Sequence, residues 1–409
     1  MKKILLILTF VVLLTSLLFV FTQKDDDLNE AVTDLIGLID TGADSRSFLY
    51  LYGIYAHETE DPVALGKKRL TEFEKAEADS DYVQVAYDQS RKLALPEGEY
   101  FCPIWEEGCL NTLFSSNTQA TQLLEQHRVL ISRVNTFLGF NEYTILTKPS
   151  HVEELPPYEY VSAAERIKVL NAIEVYKKGE PEQAVKLLQA QFLQLRKALM
   201  LPGSLVGKFV ILMKLNEIIN VYSVILFQES MTTEKLPLLT LAEKDFGMAA
   251  AREFALMYKL YKELDKQANF FKGDGNVPAW LVRAVYKPNM SLNAISPVYQ
   301  RLESLARLSL SDFAKEVDVP LTISNSKLRN MYGASLSRYV PNYDKYVGRL
   351  MDFDAKLMLF NHTFASGEPA TSFVNPYYEK GFAIEKGKRV CFAGPLDDTR
   401  HIRCLRLKI

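Results

Sequence analysis

The chain has 409 residues, 48% of them hydrophobic and 24% charged, with a formal net charge of -2. That composition excludes a disordered or fibrous chain, and the near-neutral balance gives no long-range attraction for nucleic acid. The length allows one large core or two smaller ones.

Lys2 and Lys3 precede an unbroken apolar run, ILLILTFVVLLTSLLFVF, from Ile4 to Phe21. As a helix it is long enough to cross a hydrocarbon core of roughly 30 Å. Each Leu, Ile, Phe or Val favours the bilayer centre by about 0.3–0.6 kcal/mol, so insertion is downhill. The exit, FVFTQKDDD, lacks the small-x-small pair of a signal-peptide cleavage site. Residues 4–22 are therefore expected to remain as a transmembrane signal-anchor helix. The lysines before the run and Asp25, Asp26 and Asp27 after it orient the chain. Residues 1–3 form a cytoplasmic tip and the body is exported. The expected location is a bacterial inner membrane, single-pass, with the bulk of the chain periplasmic. A second apolar stretch, 205–227, is interrupted by Lys208, Lys214, Asn216, Glu217 and Asn220. Charges at a bilayer centre are costly, so this stretch is expected as a central core helix instead.

After a linker at 23–30 the body reads as helix after helix. The pattern predicts helices within 28–40 and 45–56, then one at 61–79 with Asp61 as N-cap and Pro62 in the first turn. Further helices are expected at 80–94 and, as one long element, at 117–138. These make an N-terminal helical subdomain, 31–138. Periodicity is lost and prolines gather at 139–160, the expected linker to a central helical subdomain, 161–365. Within it, SAAERIKVLNAIEVYKKG and EPEQAVKLLQAQFLQLRKALM form two helical patterns joined at Gly179-Glu180-Pro181. This αα-hairpin resembles a tetratricopeptide-type unit, with Ala172, Gly179, Ala184 and Leu188 at matching positions. Lys168 and Gln191 stand where that pattern has a large aromatic and an alanine, and no second copy follows in register. The expectation is therefore all-α, with irregular antiparallel helical hairpins rather than a solenoid. Helices are further expected at 203–228, 240–268, 278–286, 297–308 and 342–361. Alternating residues in NPYYEKGFAIEKGKRVCFAGP predict a small β-hairpin in a C-terminal tail, 366–409.

The four cysteines are Cys102, Cys109, Cys391 and Cys404. Neither close pair has the C-x2-4-C spacing of a structural zinc site or the C-x-x-C of a dithiol oxidoreductase. An even count in an exported body predicts two disulfides. Of the three possible pairings, Cys102–Cys109 and Cys391–Cys404 are expected, because each closes a loop carrying Pro or Gly. Trp105, inside the first loop, is either an exposed anchor for a partner or a ring lying on the adjoining helix.

No motif specifies a reaction. GSLVGK at 203–208 has one residue too few between its glycines for a phosphate-binding loop, and Phe209 in place of the magnesium-binding Ser or Thr. SNSK at 324–327 matches S-x-x-K, but no S-D-N or K-T-G follows. His57, Glu58, Glu60 and Asp61 lack metal-ligand spacing, His127 reads as a boundary residue, and KGDGN at 272–276 is a turn. Arg349, Asp352 and Lys356 read as a charge ladder on a helix face. Asn216, Glu217 and Asn220 stand out, because polar groups in an apolar helix must find partners; they either line a pocket or join an internal network. The tail is basic, through Lys386, Lys388, Arg389, Arg400, Arg403, Arg406 and Lys408. That is either a solvated hairpin face or an attraction to anionic lipid.

Together these features predict a non-enzymatic, membrane-anchored periplasmic scaffold for a protein partner, with no cofactor, catalytic or metal residues expected. The alternative is a cell-envelope hydrolase or ligand-binding protein with a site near 205–227 or 324–338.

Overall fold

The computed structural model describes residues 2–39, 42, 44–79, 82–116, 119–201, 203–264, 266, 278–323 and 328–409. The chain is mostly helical, with 61% helix and 3% strand. It divides into two compact units that interleave in sequence. The smaller comprises Met1–Ile39, Ala250–Leu302 and Pro320–Tyr343; the larger comprises Asp40–Ala249, Glu303–Val319 and Asp344–Ile409. Residues 139–160 all fall within the larger unit.

The chain opens with α1 (Lys2–Gln23) and α2 (Glu30–Gly37), the latter capped by Asn29, whose side chain accepts from the Val32 amide. In the larger unit, α3 (Arg46–Tyr52) packs on α4 (Pro62–Ala78) almost backbone to backbone. A Cβ on Gly53 would lie 2.1 Å from the Pro62 carbonyl, and one on Gly66 2.0 Å from that of Leu49. Only glycine permits this approach. Asp61 caps α4 through the Val63 amide and Pro62 sits in its first turn, as expected.

Residues 82–94 do not form the expected helix. Only a short 3-10 turn, Gln89–Arg91, forms there, and the backbone at Val85 is held by side chains of α4: Glu72 accepts from the Val85 amide at 3.0 Å and from the Tyr82 hydroxyl at 2.7 Å, while Arg69 donates to the Val85 carbonyl. These bonds compete with the helical ladder. Next come α5 (Glu107–Ser115), α6 (Ala120–Gln126) and α7 (Arg128–Leu138). The long helix expected at 117–138 is thus two helices, broken at His127, whose backbone leaves the helical region (φ -107°, ψ 25°). The Arg133 guanidinium, on α7, donates to four backbone carbonyls, at Ile54, Ala56, His57 and Glu60. It satisfies the end of α3 and the turn after it, where carbonyls lack intrahelical partners.

The hairpin forms as read: α8 (Tyr158–Lys177) and α9 (Pro181–Arg196), with Gly179 at φ +86° and Pro181 opening α9. Both pack on α10 (Leu205–Gln228), which Ser204 caps through the Gly207 amide. Buried residues occupy every side of α10. The helix expected at 240–268 is interrupted at Asp245, giving α11 (Leu241–Lys244) and α12 (Gly247–Glu263). Thr240 and Glu243 close a capping box on α11, and the Asp245 carboxylate accepts from the Gly247 amide.

After α13 (Ala279–Val285) comes α14 (Pro288–Ala306), which begins before the expected 297. Pro297 lies inside it. Proline removes the amide that would bond to Asn293, and the Ser296 hydroxyl donates to that carbonyl instead, at 3.1 Å. The remaining helices are α15 (Leu310–Glu316), α16 (Met331–Leu336) and α17 (Asp344–Phe364).

The C-terminal hairpin is part of a larger element than expected. Strands β1 (Ile384–Lys386), β2 (Arg389–Cys391) and β3 (Cys404–Arg406) form an antiparallel sheet in the order β1-β2-β3. Cys391 and Cys404 stand opposite each other in the β2–β3 register. The buried β3 is fastened to α10 by the Ser223 hydroxyl, which donates to the Arg406 carbonyl at 2.6 Å.

Candidate functional site

Three residues singled out in the sequence, Asn216, Glu217 and Asn220, are all buried on α10. Glu217 meets Arg166 of α8 in a two-pronged ion pair, at 2.5 Å to Nε and 3.1 Å to Nη2, and accepts from Lys214 at 2.8 Å. Burial pushes the Glu217 carboxyl up, but Arg166 and Lys214 outweigh it and hold it at about 2. On Lys214 burial wins and lowers the ammonium, so Arg166 is the principal counter-charge. The bidentate geometry suits a guanidinium in a dry site.

Asn216 and Asn220, one helical turn apart, receive the amine of Lys356 of α17 at 2.7 and 2.6 Å. Lys356 is fully buried, and desolvation lowers it to about 7, against the pull of Asp398. Two amide oxygens satisfy a neutral amine with two N–H donors. Asp352, one turn earlier on α17, is also buried; desolvation raises it to about 7 against the pull of Arg403, and the Tyr377 hydroxyl donates to it at 2.7 Å. Asp354 accepts from the Leu239 amide at 2.8 Å and pairs with Lys244. Asp352 and Lys356 are therefore core residues, not part of a solvated charge ladder. The signal was present in VGRLMDFDAKLMLF, whose apolar residues, like those of α10, fall on all sides of the helix.

These groups are consumed by one another. Clefts in the larger unit are lined by other residues: Phe137, Tyr143, Tyr158 and Lys208 in one, Leu124, Ile131 and Asn135 in a second, Tyr55, Arg69 and Tyr87 in a third. Lys208, from the GSLVGK stretch, bonds to the Asp245 carbonyl. His57 bonds to Thr59, Glu60 pairs with Arg91, and Asp61 caps α4, so each has a separate partner. His127 is half-buried, and desolvation lowers it. Residues 272–276 and 324–327 lie outside the described residues.

The cysteines close as expected, Cys102 on Cys109 and Cys391 on Cys404, with Cα separations of 5.7 and 4.1 Å. Arg166 joins the first loop to the core: besides Glu217, it donates to the carbonyls of Tyr100 and Cys102, at 2.5 and 2.9 Å. Trp105 lies within this loop. Its ring, 37% exposed, faces the Arg400 guanidinium at 4.8 Å, and Arg400 belongs to the loop closed by Cys391 and Cys404. The two stapled loops meet through this cation–π pair. Nor is the basic tail a uniform solvated face. Arg403 and Arg406 are buried, Arg403 beside Asp352 and Asp398, whereas Lys386 and Lys408 remain exposed. A buried polar network and a stapled surface are what the larger unit presents. No family model, curated protein or solved structure matches the chain.

Proposed function

We propose that this is a single-pass membrane protein whose helical body stands on the exported side of the bilayer and serves as a scaffold for a protein partner rather than as an enzyme. The observation that carries the reading is the exposure of α1. Ile4, Phe10 and Val20 are each more than 60% exposed, and Ile7, Val11, Val12, Leu13, Leu14 and Phe19 are 47–63% exposed. Such a continuous apolar surface is unfavourable in water by about 25 cal/mol per Å², and a bilayer removes it. Two disulfides favour an oxidising compartment and hence export. The tetratricopeptide-like spacing of α8 and α9 and the surface pair Trp105–Arg400 support partner binding, since Trp and Arg are enriched where interfaces carry their energy.

The test has two parts. Alkaline extraction should leave the full-length chain in the membrane fraction, with its body cleaved by protease added from the exported side. A mature chain starting near residue 23 would overturn the anchor. A photo-crosslinking residue at Trp105 should give one discrete adduct in intact cells, while the same probe at exposed Leu155 gives none. Equal, diffuse labelling at both positions would remove the scaffold reading.

A further inference from the structure

The segment after α1 is bonded along its length within the smaller unit. The Asp25 carboxylate accepts from the amides of Asn289 and Met290, at 2.8 and 3.2 Å, capping the start of α14 from far away in sequence. Asn289 and Asn293 donate from their side chains to the carbonyls of Asp26 and Asp27, at 2.7 and 2.8 Å. Arg329 pairs with Asp26 at 3.1 Å, donates to the Lys24 carbonyl, and lies 4.6 Å over the ring of Phe21. The exit of α1 is thus clamped and is no free tether.

That clamp fixes α13 beside the last turns of α1. The ring of Trp280 lies 6.1 Å from that of Phe19. Val282 points inward, while Trp280 and Leu281 are 53% and 40% exposed and Arg283 is exposed beside them. Phe19 is two residues before the end of the apolar run, about 3 Å along a helix axis. If α1 crosses a bilayer, a ring at that level lies at the boundary of hydrocarbon and headgroups, where tryptophan is favoured.

We infer that α13 is a membrane-docking element: Trp280 and Leu281 insert into the interface of the bilayer that α1 crosses, with Arg283 among the lipid phosphates. The occupant of this apolar face is lipid, because the exposed Trp280 stands against the exposed Phe19 at the end of the apolar run of α1, where Val20 and Phe21 are exposed too. The inference rests on α1 spanning the membrane. Docking holds the smaller unit against the bilayer and restricts how it tilts.

The full chain carrying Trp105→Phe leaves Trp280 as its one tryptophan. Reconstituted in phosphatidylcholine vesicles, its emission should be strongly quenched by lipids brominated near the glycerol end of the acyl chain and less by those brominated near the methyl end. Aqueous iodide should quench it little. If Trp105→Phe fails to fold, the native chain and Trp280→Phe give the same information by difference, the bromolipid-quenched emission vanishing in the variant. Emission quenched by iodide and untouched by bromolipid, in a chain that resists alkaline extraction, overturns docking and leaves the anchor standing. A chain released by alkaline extraction overturns both.

Discussion

Two helices of this protein, α1 and α10, are long and strongly apolar, with 22 and 24 residues. By length and composition α10 passes as a membrane span, with a mean hydropathy of 1.7, yet 89% of that window is buried inside the protein. The side chains described on α1 are mostly exposed. The difference is in the polar residues. Glu217, Asn216 and Asn220 would be costly in lipid, but each finds a fixed partner from α8 or α17. In α1 the hydroxyls of Thr15 and Thr22 bond back to their own helix. An apolar helix carrying polar residues with partners elsewhere in the chain is a core helix; one whose polar groups are satisfied internally can face lipid.

The sharpest way to break this comparison is to place one charge in each helix. Leu212→Asp in α10 should unfold the larger unit, because an unpaired buried charge costs several kcal/mol. Leu13→Asp in α1 should leave circular dichroism of the body unchanged and impair membrane insertion by about 3 kcal/mol. If Leu212→Asp is tolerated, α10 is not the central helix.

Arg166→Ala should come next, at about 3–5 kcal/mol in urea unfolding, since it removes the principal counter-charge of Glu217 and the donor to two loop carbonyls. Reducing the disulfides should cost about 2.5 kcal/mol for the first loop and 3 for the second by chain-entropy arithmetic. Separate Cys→Ser pairs would distinguish them. Loss of the second should melt β2 and β3 before α10, read by hydrogen exchange.

The buried groups of α17 make a pH test with two opposite slopes. Asp352, raised from 3.8 to about 7, binds more protons when folded than when unfolded, so its contribution falls as pH rises from 3.8 to 7. Lys356, lowered from 10.5 to about 7, binds fewer when folded, so stability recovers from pH 7 to 10.5. Urea unfolding between pH 7 and 10 should show that rise in the native chain and a smaller one in Lys356→Met, since Lys208 and Lys214, also lowered by burial, contribute with the same sign. An unchanged slope in the variant would place Lys356 in contact with water. The smallest stability effect is expected for Trp105→Ala, about 0.5–1 kcal/mol for a cation–π pair at the surface.

Much of the helical fold was legible because its signals are local. The cap at Asp61, the Gly179–Pro181 joint and the apolar faces all lie within a few residues of what they control. Misreadings fell where side-chain hydrogen bonds override that local pattern. Residues 82–94 have helical periodicity, but Glu72 and Arg69 take the backbone bonds of Val85. Pro297 reads as a helix start until Ser296 supplies the missing donor.

The sequence by itself determined that 205–228 carries polar groups needing partners, that an even count of four cysteines allows two disulfides, and that residues 4–21 are an unbroken apolar run. Each follows from composition and spacing alone. Only the tertiary structure decided that Arg166 serves both Glu217 and the first stapled loop, that Lys356 bridges Asn216 and Asn220, and that Trp105 meets Arg400. Burial and pairing are properties of residues brought together from distant parts of the chain, and no local pattern encodes which of many charged groups desolvation will leave as partners.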